Sequence, residues 1–219
     1  MKKSGKKIFN MAQYFEYSHI ETDYLKSKDE KMARLIDKVG HIYREIRPNL
    51  YYALADSIVG QQISTAAHVT IRKRIEDKFG VLTPELVVNT PDEELKSVGI
   101  SYRKVGYIKD FSQKIVNGEF DIDSLNDMSD DEVIEKLVSL KGVGKWTAEM
   151  MLTFSMARPD VLSYGDLAIR RGIMRLYNLE NLSEKEFHQL TDKFSPYRTT
   201  AAFYFWRYAA PDCDFIIED

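Results

Sequence analysis

A Gly-x-Gly turn between two helical segments is the sharpest chemical signal in this sequence. The segment Leu140–Ala148 reads as an apolar helix end, a tight turn and an immediate new helix. Glycines let the backbone turn tightly and let a phosphate approach its N–H groups, while the following helix offers its positive end. Such a turn alone can also simply end a helix. The candidate phosphate anchor comprises Gly142, Val143, Gly144 and Lys145.

A carboxylate follows this turn after a loop that contains proline and glycine. Asp166 comes directly after Gly165 and directly before Leu167–Tyr177, a segment with helical apolar spacing. A fixed carboxylate kept from bulk water can stabilise developing positive charge, or orient and deprotonate an attacking water. Aspartate is also a good helix N-cap, and both roles can be true at once. Asp160 is a rival, but it follows a proline and precedes an apolar pair.

Two tryptophans and a methionine are candidates for a binding pocket. Trp146 and Met150 are four residues apart and therefore share a helix face beside the Gly-x-Gly turn. Trp206 lies in a late aromatic helix, where plain core packing is the better interpretation for Phe203 and Phe205. The face of an indole ring attracts cations, so these residues favour a positively charged ligand over a neutral one.

Helix signals recur along the whole chain and alternating strand patterns are nearly absent, which predicts an all-α protein of nine or ten helices. Ser/Thr-x-x-Glu patterns at Thr90, Ser129 and Ser183 predict helix starts. Ser64 is expected to cap a helix that ends at Gly80.

The chain also carries a faint internal duplication. Residues 90–105 and 129–148 both read as an acidic-capped helix, a glycine turn and a basic helix. No low-complexity linker interrupts residues 20–210, so any two lobes of the chain must be interleaved instead of following one another. We expect a tail and first helix start at 1–19, a terminal lobe of 20–60 plus 160–219, and a central lobe of 61–159.

Composition limits the class of protein. The chain has 219 residues, 44% of them hydrophobic, and a net charge of −3, which by itself argues against a strongly basic nucleic-acid binder. Basic residues nevertheless cluster locally, so one face can still attract phosphate. Cys213 is the single cysteine and the histidines are scattered, which excludes a cysteine-rich metal site. The basic start Met1–Lys7 precedes no secretory-type apolar core, so we expect an intracellular protein without a membrane segment.

Together these segments resemble the helix-hairpin-helix DNA glycosylases, with their Gly/Pro-rich loop and aspartate, and within them the AlkA-type 3-methyladenine DNA glycosylases. The resemblance extends from about residue 20 to about 210 and adds Ile58–Ser64, Gly99–Lys104, and Pro196–Arg198 with Trp206. The Gln-Gln motif arrives too early for the extra N-terminal α/β domain of longer members, so a compact form is expected. Ser163 and Tyr164 depart from the family's usage, where proline and a small apolar residue are frequent.

The resemblance implies roles for several residues. Asp166 is the expected catalytic carboxylate, facing a cleft between the lobes, and Trp146, Met150 and Trp206 are expected to line the base pocket. The turn at Gln61 and Gln62 matches the family's wedge loop, which fills the hole left by an extruded base. Its reading as an ordinary exposed loop stays open. The expected DNA contacts are Gln61, Gln62, Gly142, Val143, Gly144, Lys145, Arg103, Lys104 and Arg170.

Family members also bind a monovalent cation, Na⁺ or K⁺, through hairpin carbonyls, which here would be those of Leu140, Gly142 or Val143. Carbonyl ligation leaves no side-chain signature, and no organic cofactor is expected. Related enzymes that also nick the strand carry a lysine two residues after the second hairpin glycine, where this chain has Trp146. The sequence thus predicts a monofunctional, monomeric glycosylase acting on duplex DNA with damaged bases.

The predicted substrates are alkylated purines, N3-methyladenine and N7-methylguanine, because these bases are cationic and no polar cluster suited to neutral lesions is visible. Three alternatives remain open at this stage. The chain could be a catalytically silent module that binds damaged DNA, a glycosylase for another lesion such as 8-oxoguanine, or a helical protein–protein module.

Overall fold

The structure, a computed structural model, describes residues 12–217, and its regular secondary structure is almost entirely α-helical, as predicted. The basic start Met1–Lys7 lies outside the described residues. Twelve α-helices occur between residues 12 and 217, more than the nine or ten expected, partly because α5 and α6 are too short to show a helical repeat. The helices are α1 (His19–Lys28), α2 (Glu30–Val39), α3 (Leu50–Gly60), α4 (Thr65–Phe79), α5 (Pro84–Asn89), α6 (Asp92–Lys96), α7 (Tyr102–Val116), α8 (Asp130–Val138), α9 (Lys145–Phe154), α10 (Leu167–Tyr177), α11 (Glu184–Thr191) and α12 (Arg198–Ala209).

Short irregular elements complete the chain. Strands β1 (Gln13–Tyr14) and β2 (Glu45–Ile46) pair antiparallel, with Gln13 opposite Ile46 and Tyr14 opposite Glu45. Single 3₁₀ turns occupy Asp123–Asp127 and Asp192–Phe194. The β pairing ties the start of the described chain to the segment that enters α3.

Most predicted helix ends are confirmed. Ser129 and Ser183 form capping boxes with the glutamate three residues later, and Ser64 and Gly80 bound α4. The pattern at Thr90 correctly predicts a helix start, since α6 begins at Asp92, but the capping role of Thr90 is wrong. Thr90 ends α5, and its hydroxyl donates to the carbonyl of Leu86 at 2.7 Å. A threonine hydroxyl readily bonds the carbonyl four residues earlier, which removes it from capping the next helix.

Two buried clusters define the lobes. The central cluster takes its residues from 50–161, and the terminal cluster takes them from 25–36 and 169–213. Helix α3 therefore packs with the central cluster, whereas the boundary predicted from the sequence lies after this helix, at residue 60. Its residues Leu54, Ala55 and Ile58 are fully buried there. An apolar helix carries no mark of which neighbour will cover it.

The internal duplication corresponds to two helical hairpins. The first is α6–α7, which turns at Gly99 with φ of +108°, and the second is α8–α9, which turns at Gly142 with φ of +83°. Positive φ favours glycine at both turns. A side chain is also excluded at Gly142, where a Cβ would lie 2.3 Å from ring carbon Cδ2 of Tyr107.

Helices α10 and α12 cross closely because Gly172 has no side chain. A Cβ at this position would lie 2.2 Å from the backbone carbonyl oxygen of Phe205. The contact brings the start of α10 beside the residue that follows Phe205 on α12. Between residues 12 and 217, no helix combines the length and apolar character needed to cross a membrane.

Candidate active site

Asp166 is the N-cap of α10 and is 8% exposed. Its Oδ1 accepts hydrogen bonds from the backbone N–H groups of Ala168 at 2.9 Å and Ile169 at 3.0 Å. The N-cap alternative considered from the sequence is therefore confirmed. The carboxylate therefore lies at the positive N-terminal end of the α10 dipole.

Two indole N–H groups reach the same carboxylate. Nε1 of Trp146, on α9, donates to Oδ2 at 3.0 Å, and Nε1 of Trp206, on α12, donates to Oδ1 at 3.1 Å. Oδ1 therefore accepts three hydrogen bonds and Oδ2 accepts one. A carboxylate oxygen offers about two acceptor positions, so Oδ2 keeps capacity for a water or a cationic group.

A cavity of about 460 Å³ opens beside this carboxylate, between the lobes. The structure brings the predicted pocket residues together there, because Trp146, Met150 and Trp206 all line the cavity with Asp166. Phe203 and Phe205 are fully buried, as expected for core residues. Two further residues, Arg44 and Phe154, line the cavity and were not predicted from the sequence.

Trp206 is held by aromatic stacking. Its ring stacks with Phe154 at 5.4 Å between centroids and with Phe203 at 6.1 Å. Trp146 is less constrained and is 46% exposed. The two indoles thus differ in role, since one is part of a packed aromatic group and the other projects from the start of α9.

Arg44 enters the cavity from the segment before β2, which carries no sequence signal of a site. Its Nε is buried and has no hydrogen-bond partner. Burial lowers the pKa of the Arg44 guanidinium, and the positive charge of Arg207 lowers it further, against an opposing effect of Tyr17. A guanidinium remains charged in proteins, so a cation lines the same cavity as the Asp166 carboxyl group.

A second buried carboxyl group lies behind the loop that precedes Asp166. Glu149, on α9, is 8% exposed, and one of its oxygens accepts a hydrogen bond from the hydroxyl of fully buried Ser163. Its other oxygen lies 3.9 Å from Nζ of Lys145. Burial raises the pKa of Glu149, and the negative charge of Asp166 adds to the rise, despite opposing effects of Ser163 and Lys145. Glu149 thereby ties the loop that precedes Asp166 to α9.

The rival carboxylate Asp160 is engaged elsewhere. Its Oδ1 accepts from Nε of Arg198 at 2.8 Å, and its Oδ2 accepts from Nη2 of Arg198 at 2.9 Å and from Oγ of Ser195 at 2.8 Å. Burial alone would raise the pKa of Asp160, but these hydrogen bonds lower it overall. Asp160 therefore joins the loop to the start of α12 and lines no part of the Asp166 cavity.

The turn between α3 and α4 is anchored to the Gly-x-Gly hairpin. Nε2 of Gln61 donates to the carbonyl of Gly142 at 2.8 Å. Gln62 is exposed, adopts φ of +55°, and accepts a hydrogen bond from Nη2 of Arg103 at 3.2 Å. The two glutamines therefore differ, since Gln61 faces the protein and Gln62 projects outward.

Lys104 differs from its expected role. The residue is 8% exposed, and its Nζ donates to the carbonyls of Val59 at 2.7 Å and Gln61 at 2.5 Å. The ammonium is thus bound to the carbonyl end of α3 instead of facing outward for a DNA phosphate. The physical reason is that the last carbonyls of a helix need donors, and a lysine from α7 supplies one.

The hairpin itself presents backbone amides. Gly144 is the N-cap of α9 and provides no side-chain cap, which leaves the first amides of the helix available to an anion. Lys145 is 70% exposed at its side chain, whereas Val143 is buried and can contribute only its backbone. Arg170, in the first turn of α10, is half-buried with its guanidinium 5.1 Å from the centre of the Tyr164 ring.

Two of the three carbonyls considered for a monovalent cation already accept hydrogen bonds. The Leu140 carbonyl accepts from the amide of Val143 at 3.2 Å, and the Gly142 carbonyl accepts from Gln61. A carbonyl has two lone pairs, so this geometry leaves room for a cation without indicating one. Within residues 12–217 no group of three or more His, Cys, Asp or Glu side chains is arranged to hold a metal ion.

The site combines a carboxylate at the N-terminus of a helix with two indole side chains and a glycine hairpin. These features together define a class of DNA repair protein. The chain belongs to the HhH-GPD superfamily of base excision DNA repair proteins, whose sequence profile matches residues 55–196.

One protein of similar sequence and two solved structures make the comparison more specific. The chain is 31% identical over 196 residues to DNA-3-methyladenine glycosylase 1 of Schizosaccharomyces pombe, and the match covers 84% of each protein. A crystal structure of DNA-3-methyladenine glycosidase from Bacillus halodurans matches with a TM-score of 0.82 and 35% identity, covering 91% of this chain and 93% of that one. A 3-methyladenine DNA glycosylase from S. pombe, solved in complex with abasic DNA, matches with a TM-score of 0.73 and 30% identity, covering 86% of this chain and 95% of that one.

Proposed function

We propose that this chain is a DNA glycosylase that hydrolyses the N-glycosidic bond of alkylated purines in duplex DNA, as a step of base excision repair. The observation that carries the proposal is the Asp166 carboxylate, held by four hydrogen bonds at a cavity between the lobes. Membership of the base excision superfamily and the names of the relatives support the same activity.

The reaction needs an anion beside the sugar. As the bond between C1′ and the base breaks, its electron pair leaves with the base, and a cationic N3-methyladenine or N7-methylguanine departs as a neutral molecule. The positive charge that develops on the sugar is stabilised by the Asp166 carboxylate, in the way fixed charges stabilise other such transition states. Water then adds to C1′, and its proton passes to Asp166 and on to solvent. The products are a free base and an abasic site.

The enzyme is proposed to be monofunctional. Strand-nicking relatives need an amine nucleophile, and the described residues that line the Asp166 cavity include no lysine. Lys145 starts α9 beside Trp146 and would point about 100° away from it around the helix. Its side chain is mostly exposed and lies near Glu149.

Duplex DNA carrying damaged bases is the proposed partner. Backbone amides around Gly142, Val143 and Gly144, with the ammonium of Lys145, would anchor a phosphate at the positive end of α9. Gln62 would enter the space left by the extruded base, with Arg103 beside it. Arg170 is a further candidate contact, whereas Gln61 and Lys104 would position the wedge loop from inside.

Several further features belong to the proposal. The protein would act as a monomer inside the cell and without an organic cofactor. A Na⁺ or K⁺ ion bound by the carbonyls of Leu140, Gly142 or Val143 would strengthen the hairpin's attraction for phosphate. Selection of cationic bases would come from the ring faces of Trp146 and Trp206, with Met150 completing the wall.

One experiment tests activity and specificity together. The protein is incubated with DNA treated with a methylating agent, and the released bases are identified and compared with release from duplexes containing 8-oxoguanine or uracil. Methylated purines should be released well ahead of the other two, and the variants Trp146→Ala and Trp206→Ala should impair their release. Absence of base release in the presence of DNA binding would instead support a silent damage-binding module, and preference for 8-oxoguanine would overturn the substrate assignment. Borohydride should trap no covalent adduct, and a robust adduct would contradict the monofunctional mechanism.

A further inference from the structure

Arg44 is a cation in the candidate base cavity that the mechanism above does not use. Its side chain lines the cavity with Asp166, Trp146 and Trp206. Within the described residues 12–217 its side chain forms no hydrogen bond and no ion pair, and its Nε is buried without a partner. Polar groups that are largely withdrawn from water almost always have partners, so an arginine side chain that lines a ligand cavity without one points to an acceptor on the ligand.

The chemistry of the guanidinium limits what that acceptor can be. Its donors form a planar fork that fits carbonyl and phosphate oxygens. The phosphates of an extruded nucleotide flank its sugar, towards the DNA surface, whereas the Arg44 side chain lines the cavity together with Asp166 and the two tryptophans. This placement favours an oxygen atom of the base over an oxygen atom of the DNA backbone.

We propose, on the basis of the function proposed above, that Arg44 binds the exocyclic O6 of guanine-derived bases and so gives the site a preference among alkylated purines. Arginine is the commonest partner of the O6 edge of guanine. Methylation at N7 blocks that nitrogen but leaves O6 free to accept. An adenine-derived base carries an amino group at the same position, which is a donor and cannot pair with a guanidinium.

The proposal changes what the cavity selects. Attraction between cationic bases and the faces of Trp146 and Trp206 would treat N3-methyladenine and N7-methylguanine alike. A hydrogen bond from Arg44 to O6 distinguishes them. The nearby Asp166 carboxylate offsets the repulsion between the guanidinium and a cationic base, since both cations share its negative charge.

The test compares two bases released in one reaction. Methylated DNA is incubated with the wild-type protein and with Arg44→Met, and released N7-methylguanine and N3-methyladenine are quantified above the background without enzyme. The ratio of N7-methylguanine to N3-methyladenine should fall at least about tenfold in Arg44→Met, the size expected for losing a hydrogen bond to a charged group. Arg44→Lys keeps the charge without the fork and should give an intermediate ratio.

Two controls separate the proposal from its rivals. Arg207→Gln removes the neighbouring positive charge, whose own partner is Asp212, and should leave the ratio unchanged. Binding to an abasic duplex, which keeps the phosphates but lacks the base, should also be unchanged in Arg44→Met. An equal loss of both bases, or weaker abasic-duplex binding, would overturn the base contact in favour of a phosphate contact. If the wild-type protein releases neither base, the proposed function itself fails.

Discussion

At the scale of single residues, the Asp166 carboxylate is held by donors from α9, α10 and α12. Asp166→Asn should lower base release at least about a hundredfold, because the amide cannot supply the negative charge that stabilises a cationic sugar. Its amide oxygen can still accept from the start of α10, so folding should persist. With the amide oxygen bound to the start of α10, the amide nitrogen of the new asparagine would lie opposite the indole N–H of Trp146, so this one hydrogen bond would be lost.

Single-turnover base release and abasic-duplex affinity measure the two consequences separately. Affinity should be retained while release is lost. The matched control is Asp160→Asn, which alters the rival carboxylate and its pairing with Arg198. It should keep the chemistry while lowering thermal stability, and a fully active Asp166→Asn would contradict the mechanism.

Glu149 carries a prediction about pH. Its pKa is raised in the folded protein, first by burial. The folded state therefore binds this proton more tightly than the unfolded state. The contribution of protonated Glu149 to stability is lost as the pH rises from the ordinary pKa of a glutamate through the raised pKa of Glu149. Glu149→Gln keeps an acceptor for Ser163 without the charge. The variant should be at least as stable as the wild type at neutral pH, and its advantage should shrink as the pH falls towards 4.5.

Thermal unfolding across this pH range measures the difference. Ser163→Ala supplies the comparison, since it removes the hydrogen-bond donor from the loop and leaves the carboxyl group buried. That variant should be less stable than the wild type at neutral pH. A Glu149→Gln protein whose stability relative to the wild type does not change with pH would show that the carboxyl group does not titrate as inferred.

At the scale of helices and loops, the crossing of α10 and α12 sets the geometry of the site. Gly172→Ala should destabilise the protein by about 1–3 kcal/mol, because the new methyl group meets the Phe205 carbonyl and forces the helices apart. Release of methylated purines should fall with it, since Asp166 and Trp206 would separate. Gly106→Ala is the matched control, because nothing lies within 4 Å of its Cβ position inside α7. That variant should gain about 0.5–1 kcal/mol in unfolding free energy.

Urea unfolding and base release of the two alanine variants decide this point. The difference between them reports on the helix crossing, because both replace a helical glycine by the same residue. A Gly172→Ala protein as stable and active as Gly106→Ala would show that α10 and α12 tolerate a wider separation.

The wedge loop gives a second prediction at this scale. Gln62 is exposed at φ of +55°, and Gln61 and Lys104 hold the loop from behind. Gln62→Ala should weaken binding to an abasic duplex more than binding to intact duplex, because only the former offers a gap to fill. Fluorescence anisotropy with both duplexes measures the ratio. Equal loss on both would reduce Gln62 to a general contact.

At the scale of the whole molecule, DNA binding must overcome a net charge of −3. For DNA binding, the exposed cations on the surface proposed to contact DNA then matter more than the net charge of the protein. Lys145→Ala should weaken binding on all sequences and reduce the slope of log affinity against log salt by about one. Lys104→Ala should leave the slope unchanged, because the Lys104 ammonium is bound to the carbonyls of Val59 and Gln61.

Affinity titrations at several salt concentrations measure both slopes, with thermal unfolding alongside. The Lys104 variant should unfold at a lower temperature, since two carbonyls at the end of α3 lose their donor. A reduced salt slope in Lys104→Ala, or an unchanged slope in Lys145→Ala, would contradict the roles inferred for the two lysines.

The sequence by itself determined the features that depend on local chemistry. Helix caps at Ser64, Ser129, Ser183 and Asp166 were predictable because a capping side chain bonds backbone within a few residues of itself. The glycine hairpin was predictable for the same reason, since positive φ and a tight turn are properties of one short segment. The order of these motifs then identified the family.

Only the tertiary structure decided which distant residues meet. Trp146 and Trp206 are 60 positions apart in the chain, yet both donate to Asp166, because α9 and α12 converge on the start of α10. Arg44 reaches the same cavity from an irregular segment. Lys104 turns inward and donates to a carbonyl at the C-terminal end of α3. Such contacts arise from the packing of helices against one another, and packing depends on the shapes of both partners, which no single segment encodes.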